Sequence, residues 1–210
     1  MKLYSEFSSP FSAPVRIAVY AKGLKIDIEP PPGGVLSARY HAINSLGTIP
    51  CLILENGMPL PESAAIMEYL EDKFPEPPLR PNEPEATALV RLLQRIGELQ
   101  IMTPLVELNR QADPAHRDAS ASVWLTRLIR GLSSLQVFVG NEPFATGPEL
   151  TLADCGLAPA LFMLPKIASA YSKAELLQAY PQIGRYVESS REHPAIRKVL
   201  EEMAPTWELR

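Results

Sequence analysis

The sequence predicts an α/β unit followed by an all-α unit. Three observations carry that reading. Strand and helix signals alternate over the first seventy-odd residues. Every later stretch has helical apolar spacing. Between them, Pro75 to Pro84 holds five prolines in ten residues, cannot continue a helix and reads as an extended linker. The division is therefore residues 1–75, a linker at 76–84, and an all-helical part over 85–210.

Leu3-Tyr4 opens the chain as a short strand, and Pro14 to Lys22 is a helix stopped by Gly23 in the usual terminal position. Lys25 to Glu29 alternates with a period of two, as a half-buried strand does. Leu36 to Ile43 is a short helix after the Pro-Gly turn at Pro30 to Gly34. Cys51 to Leu54, the Asn56-Gly57 turn signal and Met58 to Leu60 form a hairpin. Glu62 to Lys73 is a patterned helix with Ile66, Tyr69 and Leu70 on one side. After the linker come helices over Glu85–Arg110, Ala115–Phe138, Thr151–Ile167, Lys173–Tyr180, Gln182–Arg191 and Ala195–Met203. Val137-Phe138-Val139 is the one later run that also reads as a strand. Thr151-Leu152-Ala153-Asp154 has capping-box spacing ahead of an apolar helix, a structural feature contributing about 1 kcal/mol.

Composition narrows the function. A hydrophobic fraction of 46% provides a sizeable core, and a net charge of −4 with no dense Lys/Arg run argues against a nucleic-acid partner. Met1 to Glu6 lacks the apolar stretch of a secretory signal. The most apolar later run, Leu157 to Leu164, is too short for a bilayer and has Asp154 at its head. Cys51 and Cys155 build no disulfide scaffold, and His41, His116 and His193 have no metal-ligand spacing. The expectation is a cytoplasmic, soluble protein that uses neither metal nor membrane.

Two joints carry chemistry. Pro50 precedes an aliphatic strand, where a trans proline simply opens the strand; a cis Pro50 would instead turn the backbone of Ile49 outward to pair with an extended peptide. Pro61-Glu62-Ser63 starts a helix, and Ser63 serves equally as its cap or as part of an anion site at the helix N-terminus. In the second case Glu62 takes an adjacent ammonium, and an α-amino acid end carries both charges.

Ser9-Pro10-Phe11-Ser12 leading into Val15-Arg16-Ile17-Ala18, then Gly47-Thr48-Ile49-Pro50, Pro61-Glu62-Ser63 and Leu152-Ala153-Asp154, in that order, resemble a cytosolic glutathione S-transferase over essentially the whole chain. The opening loop is similar to the serine-type classes, tau and zeta above all, in a bacterial-type protein. Two departures stand out: Pro14 replaces the usual arginine, and the zeta cysteine is missing, which counts against maleylacetoacetate isomerase activity.

The resemblance implies a thioredoxin-like N-terminal domain, an all-helical C-terminal domain that contributes the electrophile site, and a homodimer joined by the helices from Glu62 and Glu85. It implies a cis Ile49-Pro50 bond, with Thr48, Ile49 and Pro50 against the cysteinyl part of glutathione. Glu62 and Ser63 would hold the γ-glutamyl end, glutathione would be the co-substrate, and no metal would take part.

Aligned on Val15-Arg16-Ile17-Ala18, the family's catalytic serine falls at Ser9; Ser8, Ser12 and Tyr4 are the alternatives. A thiol is a poor nucleophile until it loses its proton, and a hydroxyl donating to sulfur favours the anion, as does the N-terminus of the following helix. Ser12, nearer the helix, is the expected cap. Phe11, Ile101, Met102 and Leu105 are the candidate electrophile pocket, although the last three have spacing that suits the bundle core equally. The reaction implied is attack of glutathione thiolate on a hydrophobic electrophile, a detoxification chemistry. Isomerase, dehalogenase or ether-cleaving lyase activity on the same scaffold, or a non-catalytic stress protein, are the competing readings.

Overall fold

The computed structural model describes residues 1–207. Strand β1 (Lys2–Tyr4) pairs in parallel with β2 (Asp27–Glu29) after crossing over through helix α1 (Ala13–Ala21). The short helix α2 (Ala38–His41) leads to the hairpin of β3 (Cys51–Ile53) and β4 (Pro59–Pro61). Strand β3 lies antiparallel to β1 with Leu3 opposite Leu52, giving the order β2-β1-β3-β4. Gly57 makes the hairpin turn with φ +84°, a conformation that favours glycine. Helix α3 (Ser63–Lys73) packs beside α1, and Leu3, Leu52, Ile17, Ile66 and Leu70 bury the sheet beneath the two.

The proline-rich segment is ordered by a buried pair. Lys22 Nζ lies 2.7 Å from Glu71 Oε2 and donates to the carbonyls of Phe74 (2.7 Å) and Pro77 (2.8 Å). The Glu71 carboxylate accepts the Leu79 N–H at 3.0 Å. Charges this deep persist because each is paired and hydrogen-bonded.

The second half is helical, as its spacing predicts, with differences in extent. Helix α4 (Pro84–Ile96) runs through a π-helical turn at Gly97–Met102 into α5 (Thr103–Arg110), where the sequence suggests one uniform helix. Helix α6 (Ser120–Phe138) absorbs Val137 and Phe138, so that run is not a strand. The stretch at Lys173–Tyr180 reduces to a 3-10 turn at Leu176–Ala179. Helix α7 (Leu152–Ala170) is the core helix, packed on α1 and α4. It is longer than the sequence suggests and apolar enough by length to cross a bilayer, yet 72% of its apolar window is buried inside the protein. Its capping box is formed: Asp154 Oδ2 accepts the Thr151 N–H at 2.8 Å and Oδ1 accepts the Ala145 N–H at 2.8 Å. Helices α8 (Pro181–Ser190) and α9 (Pro194–Trp207) close the bundle, and α9 returns across both α7 and α1.

Candidate functional site

A cleft of about 200 Å³ opens where the two halves meet, walled by Phe11, Thr48, Ile49, Pro50, Glu62, Ser63 and Glu98. It continues into a small pit of about 20 Å³ bounded by Pro10, Pro14, Met67, Gln94, Met102 and Gly156, with Phe11, Ser63 and Glu98 shared between the two. The sequence segments that carry candidate chemistry therefore converge on one place.

The Ile49-Pro50 bond is cis. Its approach is fixed by two donors on one carbonyl, since Tyr40 Oη (2.7 Å) and Asn44 Nδ2 (2.8 Å) both bond Thr48 O. The backbone N–H and C=O of Ile49 have no partner among the described residues, and an extended peptide can pair with them. Tyr40 and Asn44 were not legible as site residues, because their contribution passes through a backbone atom.

Glu62 adopts φ +72°, ψ +115°, which a non-glycine residue reaches only at a cost of about 1–3 kcal/mol. The strained backbone turns the chain from β4 into α3 and places both Glu62 and Ser63 on the cleft wall. Ser63 does not cap its helix: α3 has no side-chain cap, and its first backbone bond to Glu62 O comes from Ile66. The N–H groups of the first turn thus face the cleft end without a protein partner, a fixed positive potential beside the Glu62 carboxylate.

In the opening loop, Ser9 Oγ accepts the Ser12 N–H at 3.3 Å, and Ser9 O accepts Ala13 N–H at 3.1 Å. Ser9 is thus the residue that satisfies the first N–H groups of α1. This corrects the expectation for Ser12, which occupies the N-cap position but makes no capping bond and keeps a buried, unpartnered hydroxyl. Nothing among the described residues accepts the Ser9 hydroxyl proton, so the group remains a free donor, polarised by a helix N–H. Ser9 does not itself line the cleft; its neighbours Pro10 and Phe11 do. Tyr4 belongs to a second small cluster with Tyr40 and Cys51, edge-on to Tyr40 at 5.5 Å between centroids, and lines neither cavity. Ser8 lies with its carbonyl accepting Trp207 Nε1 at 2.7 Å.

Of the four candidate pocket residues, Phe11 and Met102 line the cavities. Ile101 and Leu105 are fully buried and line neither. They belong to the bundle core, the alternative their spacing left open. The cleft face of this helix instead carries Gln94, Glu98 and Met102, four residues apart across the π-helical turn. Gln94 is only 7% exposed, and its amide nitrogen has no hydrogen-bond partner. Glu98 lies 2.6 Å from Arg95 Nη1, and its carbonyl accepts Thr103 Oγ1 at 2.8 Å.

The cysteines are not nucleophiles. Burial pushes the Cys51 thiol up to about 11, and Cys155 is raised well above its ordinary value by the same cause. Among the described residues no cluster of His, Cys, Asp or Glu could hold a metal ion.

Comparison with known proteins agrees with this geometry. Residues 3–78 match the family model of the glutathione S-transferase N-terminal domain, and residues 89–189 that of its C-terminal domain. The chain is 31% identical to glutathione S-transferase Z2 of Arabidopsis thaliana, over 98% of this chain and 92% of that one. It is 30% identical to a maleylacetoacetate isomerase of Pseudomonas aeruginosa, over 94% of each. Among solved structures it superposes with a TM-score of 0.78, at 26% identity, on a holo maleyl pyruvate isomerase described as a bacterial zeta-class glutathione S-transferase, covering 99% of this chain and all of that one. Fold, converging segments and whole-length similarity lead to one conclusion: the chain belongs to the glutathione S-transferase family.

Proposed function

We propose that the protein transfers glutathione to neutral, apolar electrophiles, with Ser9 as the donor that holds the thiolate. The observation that carries this reading is the convergence of Ile49, Glu62, Ser63 and the Pro10-Phe11 pair that directly follows Ser9 on one cleft that opens into an apolar pit. Glutathione would lie extended along Ile49, its α-carboxylate at the first turn of α3 and its ammonium against Glu62. Its thiol would give up its proton to solvent. The Ser9 hydroxyl would then donate to sulfur and lower the free energy of the anion, which attacks the electrophilic carbon as the leaving group departs or the double bond accepts the pair.

The lining argues for the substrate's charge. The side chains bounding the cleft and pit include two carboxylates, Glu62 and Glu98, and no cation among the described residues. A maleyl acid carries two carboxylates and would find no cationic side chain on those walls, whereas a neutral electrophile needs none and can lie against Phe11. Free cysteines at Cys51 and Cys155 suit a reducing, cytoplasmic setting. The experiment is a substrate panel: glutathione with 1-chloro-2,4-dinitrobenzene and with benzyl isothiocyanate, against isomerisation of maleylacetoacetate. Conjugation of the neutral compounds with no isomerisation is expected. Isomerisation as the dominant turnover would contradict the assignment.

A further inference from the structure

The loop that presents Ser9 is anchored from the far end of the chain. Three consecutive carbonyls before Ser9, those of Glu6, Phe7 and Ser8, are each taken by a side-chain donor. Arg16 Nη1 bonds Glu6 O (2.7 Å) and Ser5 Oγ (3.0 Å), and Arg16 Nη2 bonds Phe7 O (2.7 Å). Trp207 Nε1 bonds Ser8 O (2.7 Å). Arg16 is fully buried and is itself oriented by α9, since its Nε meets Glu202 Oε2 at 3.0 Å while Glu202 Oε1 accepts the Tyr20 hydroxyl at 2.9 Å. The Phe7 ring is 53% exposed and lies beneath the same guanidinium, with Arg16 Cζ 5.4 Å from its centroid.

Resting on the reading of Ser9 as the thiolate donor, we propose that α9 is a positioning element for that donor, with Trp207 and Glu202 as positioning residues that act through the backbone of residues 6–8. The planar guanidinium fork fixes two successive peptide planes, and the indole fixes the third, directly before Ser9. Among the described residues Glu202 is the charged partner that faces the Arg16 head group, so undocking α9 would remove the ion pair that helps to orient the fork. A displacement of about 1 Å in a catalytic group is enough to lower turnover by about 100-fold, so the register of α9 matters for a reaction whose other groups lie elsewhere. The proposed glutathione contacts, by contrast, fall on Ile49, Glu62 and Ser63, which share no hydrogen bond or ion pair with α9 among the described residues.

The test compares Trp207→Phe, Ser9→Ala and the double variant, measuring kcat and KM for glutathione and the pH profile of thiolate formation on the bound tripeptide. Trp207→Phe keeps an aromatic body and removes only the donor. It should leave the glutathione KM within about twofold, lower kcat by about 5- to 10-fold and move the thiolate titration to higher pH, the size expected for one lost hydrogen bond. In the Ser9→Ala background the same change should cost less than about twofold, since a residue acting through Ser9 has nothing left to position. Glu202→Gln, which keeps the side-chain shape, repeats the comparison from the other anchor should Trp207→Phe fold poorly. Unchanged kcat in both variants, or an equal loss with and without Ser9, would overturn the proposal. A silent Ser9→Ala would instead overturn the role of Ser9 itself, so the two failures are distinguishable.

Discussion

Ser9, and not the nearer Ser12, makes the side-chain bond at the start of α1. Ser12 stands in the N-cap position with a hydroxyl that bonds nothing, while Ser9, three residues earlier, reaches forward to the Ser12 N–H. On the reading proposed for Ser9, the field of the α1 N-terminus would reach a bound thiol through the Ser9 hydroxyl. An unsatisfied buried hydroxyl is unfavourable by about 1–3 kcal/mol, so Ser12→Ala is expected to leave thermal stability unchanged or raised, with conjugation retained. A loss of about 1 kcal/mol in a denaturant titration would mean that Ser12 caps the helix after all. The site segments were legible because residue type, order and spacing all pointed to them. Which serine capped was not, since both hydroxyls lie near enough to the first turn in sequence to accept one of its N–H groups. Arg16 carried a signal of its own, a charged residue within the apolar run Val15-Arg16-Ile17-Ala18, whose partners at Glu6, Phe7 and Glu202 only the tertiary fold reveals.

At the scale of elements, the π-helical turn at Gly97–Met102 lies in the stretch that borders the cleft. Hydrophobic periodicity identified the helix but assumed one pitch throughout, and an i→i+5 turn changes the facing of everything after it. Ile101 and Leu105 sit in the core, while the polar pair Gln94 and Glu98 shares the cleft with Met102. The turn is braced from outside by α6, whose Gly131 has room for no side chain: a Cβ there would lie 2.4 Å from Gln100 O. Gly131→Ala must push α6 and the turn apart, and should destabilise by about 1–3 kcal/mol as overpacking does. A differential scan checks this, with a lowered Tm and a raised KM for the electrophile expected and a wild-type Tm contradicting it. Similar physics explains Val137 and Phe138: a β-branched residue beside an aromatic is locally indistinct from a strand, and only the helix preceding them settles their state.

The whole molecule is organised by contacts that join distant parts of the chain. Helix α7 provides the shared core, the Lys22–Glu71 pair fixes the crossing between the halves, and α9 ties the last turn to the first loop. The succession of a mixed sheet, a proline-rich crossing and a bundle was readable from periodicity and proline placement; the pairings across 186 and 199 residues were not, because nothing local encodes them. Arg91 of α4 joins Glu68 of α3 at 3.1 Å, and the neighbouring Leu92 of α4 is 41% exposed. We propose that this side meets a second copy about a two-fold axis, with light scattering at micromolar concentration returning twice the chain mass; a monomer mass would contradict it.

The central claim is that the Ser9 hydroxyl shifts the thiol equilibrium of bound glutathione, and the most direct measurement is that equilibrium itself. Thiolate absorbance of the binary complex, titrated against pH in the wild-type protein and in Ser9→Ala, reports it without any electrophile. One hydrogen bond to a charged sulfur contributes about 1.5–3 kcal/mol, or about 1–2 pKa units. The wild-type complex should therefore ionise about 1–2 units below Ser9→Ala, with both proteins binding glutathione to a similar degree. Coincident titration curves at equal occupancy would contradict the account.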